Sequence, residues 1–271
     1  MMKYFLIFLS GIILFFSCKD EKDNNNNKAN VSKADKLIKE LTERADKHAD
    51  SIQYRVDLID ALDSLDRFKE ALFHMNILLK KDSLNNSYWS RNALLLERSG
   101  DTTPAIESYI RSINIYPDVV TQLYLANILA ERKDDRSLML VNNVSKTLPD
   151  EETLANCDFI AGIYHARIGN TRMAEQLFNR CISHNVKYME AYLEKGFLYF
   201  DQKKYNEALN IFQAAGNVEP TYADAFYWQA KTFEALGKIP EAMNMYDQSL
   251  RLDPDLKEAA DALTRLGGNK S

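Results

Sequence analysis

Residues 192–220 read YLEKGFLYFDQKKYNEALNIFQAAGNVEP, and residues 226–254 read FYWQAKTFEALGKIPEAMNMYDQSLRLDP. The two stretches align without a gap at a shift of 34 residues. Self-similarity at such a period marks an array of supersecondary units, each too small to bury its own apolar face and each stacked on the next. Within each stretch apolar residues recur at helical spacing on both sides of a central polar turn, so one unit is a pair of helices. A glycine or alanine at the helix crossing lets two antiparallel helices approach, and an aromatic fills the hole beside it. A proline then ends the second helix.

The small and large residues at fixed offsets resemble those of the tetratricopeptide repeat. In the unit from Met189 they are Gly196, Tyr199, Ala208, Phe212, Ala215 and Pro220; in the unit from Ala223 they are Gly237, Ala242, Tyr246 and Pro254. Stepping backward, a unit from Ala155 has Gly162, Gly169, Ala174 and Phe178, with Val186 in place of the proline. A unit from Asn86 has Trp89, Ala93, Gly100, Ala105, Tyr109 and Pro117. The unit from Val120 keeps Leu123, Ala126 and Ala130 but needs one extra residue and has Met139 where alanine is expected; the first, from Ile52, keeps Ala71 and little else. The resemblance implies an all-α fold, a right-handed superhelical solenoid of antiparallel helix pairs, with six units at about 52–85, 86–119, 120–154, 155–188, 189–222 and 223–256. Residues 33–50 then read as an N-terminal capping helix and residues 257–271 as a closing helix and tail, with Lys257, Glu258, Asp261 and Arg265 toward water. Pro104 and Pro240 fall at the starts of second helices, where a missing N–H costs little.

The amino terminus, MMKYFLIFLSGIILFFSCKDEKDNNNN, reads differently. Its apolar run from Tyr4 to Phe16 has 13 residues, whereas a bilayer-spanning helix needs about 20. With Lys3 before it and the small Ser17 after it, the run is a secretory signal over residues 1–17. Phe15, Phe16, Ser17 and Cys18 resemble the bacterial lipobox, which implies a diacylated Cys18 as the new amino terminus and an attachment held by two or more chains. The segment Lys19–Asn30 has no apolar residue but alanine, and residues 18–32 are expected to form a flexible tether. Lys19, Asp20 and Glu21 resemble a signal for lipoproteins exposed on the outer membrane of some Gram-negative bacteria; exposure and a periplasmic orientation both remain open.

Composition narrows the function. The chain is 46% hydrophobic and 27% charged, and removing Lys3 with the leader takes the formal net charge from −5 to about −6, which disfavours nucleic acid as a partner. There is no GxSxG, HExxH, phosphate-binding glycine loop or CxxC pair, so no catalytic, metal or cofactor site is expected. His48, His74, His165 and His184 are scattered, and His165 stands where the repeat prefers tyrosine, as a packed side chain. Cys157 and Cys181 fall near the start of one helix and the end of its partner. A disulfide and a pair of small buried residues are both consistent with that placement. Asp50-Ser51-Ile52, Asp63-Ser64-Leu65, Asp82-Ser83-Leu84 and Asp101-Thr102-Thr103 resemble acceptor sites of a bacterial O-glycosylation system, which would place glycans on Ser51, Ser64, Ser83 and Thr102. The alternative is helix capping.

The resemblance also implies where a guest would bind. In this repeat family the first helix of each unit lines the concave face, and the fifth and ninth positions give Val56 and Asp60, Ser90 and Leu94, Tyr124 and Ile128, Phe159 and Ile163, Leu193 and Phe197, then Tyr227 and Lys231. An apolar groove through Tyr124, Ile128, Phe159, Ile163, Leu193, Phe197, Phe200 and Tyr227 is expected, and its guest is a protein or peptide segment with an apolar face. Phe159, Phe197 and Tyr227 are the expected anchors, with Phe197 facing outward. The reading is a membrane-anchored, non-enzymatic adaptor at the cell envelope; the alternative is a surface component that captures glycan or another nutrient.

Overall fold

The computed structural model describes residues 23–267, with side chains placed from residue 33 onward. Among the described residues all regular structure is helical: α1 (Asp23–Lys47), α2 (Ile52–Ser64), α3 (Phe68–Lys81), α4 (Asn86–Arg98), α5 (Thr102–Ile115), α6 (Val119–Glu131), α7 (Arg136–Thr147), α8 (Glu151–Arg167), α9 (Thr171–His184), α10 (Met189–Asp201), α11 (Tyr205–Val218), α12 (Ala223–Ala235), α13 (Ile239–Leu252) and α14 (Lys257–Gly267). Each helix packs on its neighbours in the chain, and first helices meet across unit boundaries, as α6 meets α8. The result is a helical solenoid of six pairs, α2–α3 through α12–α13, with α1 and α14 at its ends.

One device turns the chain in every pair. Asp66, Gly100, Lys133, Gly169, Lys203 and Gly237 have φ between 53° and 88°, and each follows the first helix of its unit. With that residue left-handed, the next N–H reaches back five residues, as Asp101 N does to Leu96 O and Lys204 N to Tyr199 O, closing the helix end. Glycine adopts the conformation freely, so Gly100, Gly169 and Gly237 were visible as punctuation, whereas Asp66, Lys133 and Lys203 hold it at a cost of about 1 kcal/mol each.

The second helices supply the core. Met75, Tyr109, Val144, Phe178, Phe212 and Tyr246 occupy equivalent places in six successive units and all have 0% exposure. Burial of each such side chain contributes roughly 1.5–3 kcal/mol. Where the ring is a phenylalanine, the first helix opposite it carries glycine: Gly162 faces Phe178 and Gly196 faces Phe212.

Three expectations are corrected. The third unit takes its extra residue in the turn, Arg132–Asp135, so Leu140 moves into the packed position and Met139 points to water with 71% exposure. The fourth unit begins at Glu151, a turn before Ala155, because the Asp150 carboxylate accepts from Thr153 N at 2.9 Å and starts α8 there. The tether is helical from Asp23: no glycine or proline interrupts residues 23–47, and a nucleated helix extends one residue at a time. Cys18 and the signal segment lie outside the described residues. Among those described, no helix is long and apolar enough to cross a membrane.

Candidate functional site

The first helices divide the expected groove into three parts. On α6, Tyr124 is half-buried and stacks on Tyr109 at 6.1 Å, while Ile128 is only 6% exposed. On α8 the face is sealed. Phe159 is 1% exposed, its ring 4.9 Å from that of Tyr188 and 5.9 Å from that of Phe178, and Ile163 has no exposure. Ile128, Phe159 and Ile163 are therefore core residues, which corrects their assignment to the groove. At Phe159 the reason is local: Tyr188, the last residue before α10, folds over its ring and donates its hydroxyl to Asn156 Oδ1 at 3.0 Å, whereas Ile128 is buried in the cluster of Ala93, Ala105 and Tyr109.

On α10 and α12 the aromatic surface survives. Leu193, Phe197, Phe200 and Tyr227 are all half-buried and belong to one cluster with Ala208, Phe212 and Trp228. Trp228, which the spacing argument missed, is 8% exposed and lies at the centre. Its ring centroid is 4.5 Å from Phe197, 5.5 Å from Tyr227 and 5.9 Å from both Phe200 and Phe212. Phe197, Phe200 and Tyr227 meet the indole edge-on and Phe212 stacks on it, geometries that suit the ring quadrupoles and orient the outer rings. Phe197 is thus not a free outward anchor, because its inner face packs on Phe212 and Trp228. What remains is a compact aromatic strip over two units. The signal that could have found Trp228 was the FYW run itself, since three consecutive aromatics on a helix cannot share one face.

Between Tyr124 and this strip the first helices carry charge. Arg167 at the end of α8 donates to Glu131 of α6 through Nε at 2.8 Å and Nη2 at 2.9 Å, and to Glu194 of α10 through Nη1 at 2.9 Å and Nη2 at 3.0 Å. Burial disfavours the guanidinium charge, but the bonds to Glu194 and Glu131 more than reverse this and hold it above its ordinary value. Burial raises the Glu194 carboxyl, and Arg167 opposes that rise. One cation thereby ties together the first helices of three successive units, which fixes the path of the inner face.

A second polar cluster lies where α8 begins and α9 ends. Asp158 is 5% exposed; its Oδ1 is 2.6 Å from Arg180 Nη2, and its Oδ2 is 3.5 Å from His184 Nε2. His184 Nδ1 is 2.5 Å from Glu151 Oε2. Cys157 and Cys181 flank this cluster as buried free thiols, so the disulfide reading is not realised. Burial raises both thiols, Cys157 to about 11, and a protonated thiol is a poor nucleophile. His165 is half-buried against the edge of Tyr164. No group of three His, Cys, Asp or Glu residues among those described could hold a metal ion.

Of the four hydroxyls in the aspartate triplets, none caps a helix. Ser51 stands at the start of α2 without a side-chain bond, and the exposed Ser64 donates to Ala61 O. Ser83 is exposed in a turn where Asn85 caps α4, and Thr102 follows Asp101 as the first residue of α5. The capping account of these triplets is accordingly not realised at their hydroxyls.

Comparison with known proteins agrees with this geometry. Residues 199–266 match the sequence profile of the tetratricopeptide repeat. A stretch of 64 residues is 38% identical to DnaJ homolog subfamily C member 7 of Mus musculus; it makes up 24% of this chain and spans 13% of the mouse protein. Among solved structures, a tetratricopeptide repeat protein from Parabacteroides merdae superposes with a TM-score of 0.70 at 14% identity, over 91% of this chain and 97% of that one. A chain of the Cut9–Hcn1 hetero-tetramer of the APC/C superposes with a TM-score of 0.58 at 15% identity, over 86% of this chain and 46% of that one. At these identities the structures speak for the fold alone, and that fold is the tetratricopeptide-repeat solenoid.

Proposed function

We propose that this protein is a non-enzymatic adaptor, anchored through an acylated Cys18 at a bacterial envelope, that holds a protein segment on its inner face. The observation that carries the reading is the strip of Leu193, Phe197, Phe200 and Tyr227 around Trp228, a cluster of half-buried aromatic rings gathered on the first helices of two successive units. Half-exposed, orientationally fixed rings are the chemistry of interface anchors, where a few residues contribute most of the binding energy. The guest is a helix or extended segment with an apolar face. The solved neighbour from the Cut9–Hcn1 hetero-tetramer supports a scaffolding role for the fold, and the lipobox-like sequence before Cys18 supports the anchor.

The test is site-specific crosslinking in the native host. A photoreactive phenylalanine analogue at position 200 or 227, at the rim of the strip, is expected to trap one protein in stoichiometric amount, whereas the analogue at exposed Phe73 on the outer helix α3 is not. Adducts with glycan alone, or equal protein capture at both faces, would refute the adaptor reading.

A further inference from the structure

The first helix α1 is fastened to the array by a small contact. Its buried described side chains are Ile38 and Ala45, which join Leu58, Ile59 and Leu62 of α2 in one cluster. The polar fastening is Arg55 of α2, only 5% exposed. It donates through Nη2 to Ala45 O at 3.2 Å and to Asp46 Oδ1 at 3.3 Å, both on α1, and through Nη1 to His74 Nδ1 of α3 at 2.8 Å. The guanidinium has no lone pair to offer, so the contact requires that His74 Nδ1 be unprotonated and that its proton sit on Nε2.

We propose that Arg55 and His74 form an acid-sensitive latch, in which protonation of His74 Nδ1 removes the acceptor for Arg55 Nη1, displaces the guanidinium, and releases α1 from the α2–α3 pair. The proton comes from solvent, and the imidazolium then points an N–H at a buried cation. Release uncovers Leu58, Ile59 and Leu62 and frees the helix that leads to the amino terminus.

The groups around the ring decide the direction. From α2 it faces Arg55, from α1 Asp46, and from its own helix Glu70, one turn away; the charges of α4 are engaged elsewhere, Arg91 with Asp60 and Arg98 with Asp63 and Asp66. Asp46 and Glu70 favour the imidazolium, but burial and then Arg55 outweigh them, so His74 is held below the ordinary histidine value. A base whose folded-state value is depressed favours the closed form above about pH 6.5, the unfolded reference. That preference is lost as pH falls from there through the depressed value. For one proton the opening equilibrium shifts by up to tenfold per pH unit in this window. A second tie, Arg67 to Asp35 at 3.0 Å, does not involve the ring.

The test is hydrogen exchange on the full chain between pH 7.5 and 5.5, corrected for intrinsic rates. Protection of the α1 amides from residue 38 to 47 is expected to fall by about tenfold relative to α11 in the wild type, and to stay constant in His74→Asn, whose amide oxygen accepts from Arg55 at every pH. His48→Gln serves as the control for the other histidine near α1 and is expected to behave as wild type. If His74→Asn does not fold, NMR titration of the wild-type His74 ring must show α1 shifts moving with it. Constant α1 protection in the wild type, or an equal loss in folded His74→Asn, would overturn the latch.

Discussion

Replacing Gly196 with alanine tests whether the crossing of α10 and α11 is as tight as the aromatic strip requires. A Cβ at Gly196 would lie 2.5 Å from Cζ and 2.8 Å from Cδ1 of Phe212, closer than real Cβ contacts occur. The ring has no room to withdraw, because it is fully buried with Phe197 and Trp228 each 5.9 Å away on its other sides. Overpacking of this kind costs roughly 1–3 kcal/mol, and the near-ångström displacement needed puts Gly196→Ala at the upper end. Alanine in place of a mid-helix glycine returns about 1 kcal/mol. The net expectation is destabilisation by about 2 kcal/mol, or a fall of roughly 4–8 °C in Tm for a chain of this size. Gly216→Ala is the internal reference: its Cβ would meet Gln229 Nε2, which donates to Phe212 O, at 3.1 Å and Phe226 Cζ at 3.3 Å, so a shift of a few tenths of an ångström suffices and the loss should be clearly smaller than at Gly196. Thermal melts of the two variants, together with Gly196→Ala in a Phe212→Leu background, separate the steric contribution from helix propensity. If Gly196→Ala melts with Gly216→Ala, or if Phe212→Leu does not relieve the loss, close approach does not govern this crossing.

Arg167→Ala leaves Glu194 buried without its cation and should cost about 3 kcal/mol in denaturant titrations. Because the stranded carboxyl then titrates still higher, the deficit should shrink from pH 8 toward pH 5; a deficit independent of pH would remove Glu194 from the account. Cys157 and Cys181 should both alkylate in denaturant without reductant and resist alkylation when native, and a pair that never alkylates would restore the bridge. Cys18→Ser should move the protein into soluble fractions and abolish acyl labelling in the native host. Intact mass from that host should exceed the lipidated polypeptide by sugar-sized increments if Ser51, Ser64, Ser83 and Thr102 carry glycans, and an unmodified mass would end that reading.

The fold was legible in the sequence because its determinants are local or strictly periodic. A phenylalanine 16 residues after a glycine, as in Gly162 with Phe178 and Gly196 with Phe212, encodes the close crossing of the two helices of a unit. Where punctuation was missing, phase was lost: Lys133 adopts the left-handed turn that glycine marks elsewhere, and the added residue beside it turned Met139 from an expected packing position to solvent. The start of α1 was misread for a related reason, since a polar composition reports poor burial and not the absence of helix.

The candidate binding face was less legible because burial at a first-helix position depends on residues further along the chain, at the end of its own unit or in the next. Phe159, the fifth residue of its unit, and Phe197, the ninth of the next, both pack on the second-helix phenylalanine, yet one is 1% exposed and the other half-buried. The difference lies in the ring that each meets from further along the chain. The fourth unit ends on Tyr188, whose ring closes over Phe159, whereas Trp228, a first-helix residue of the sixth unit, meets Phe197 edge-on. Position within a repeat therefore specifies which side chains can reach the inner face, and the identity of the residues at the unit junction decides which do. In this chain the half-buried aromatic cluster lies on α10 and α12, with the charged Arg167 cluster bordering it on α8. On the proposed adaptor reading, a guest that crosses from the strip toward α6 would change from apolar to polar contacts within one repeat, which would give the site a direction as well as a place.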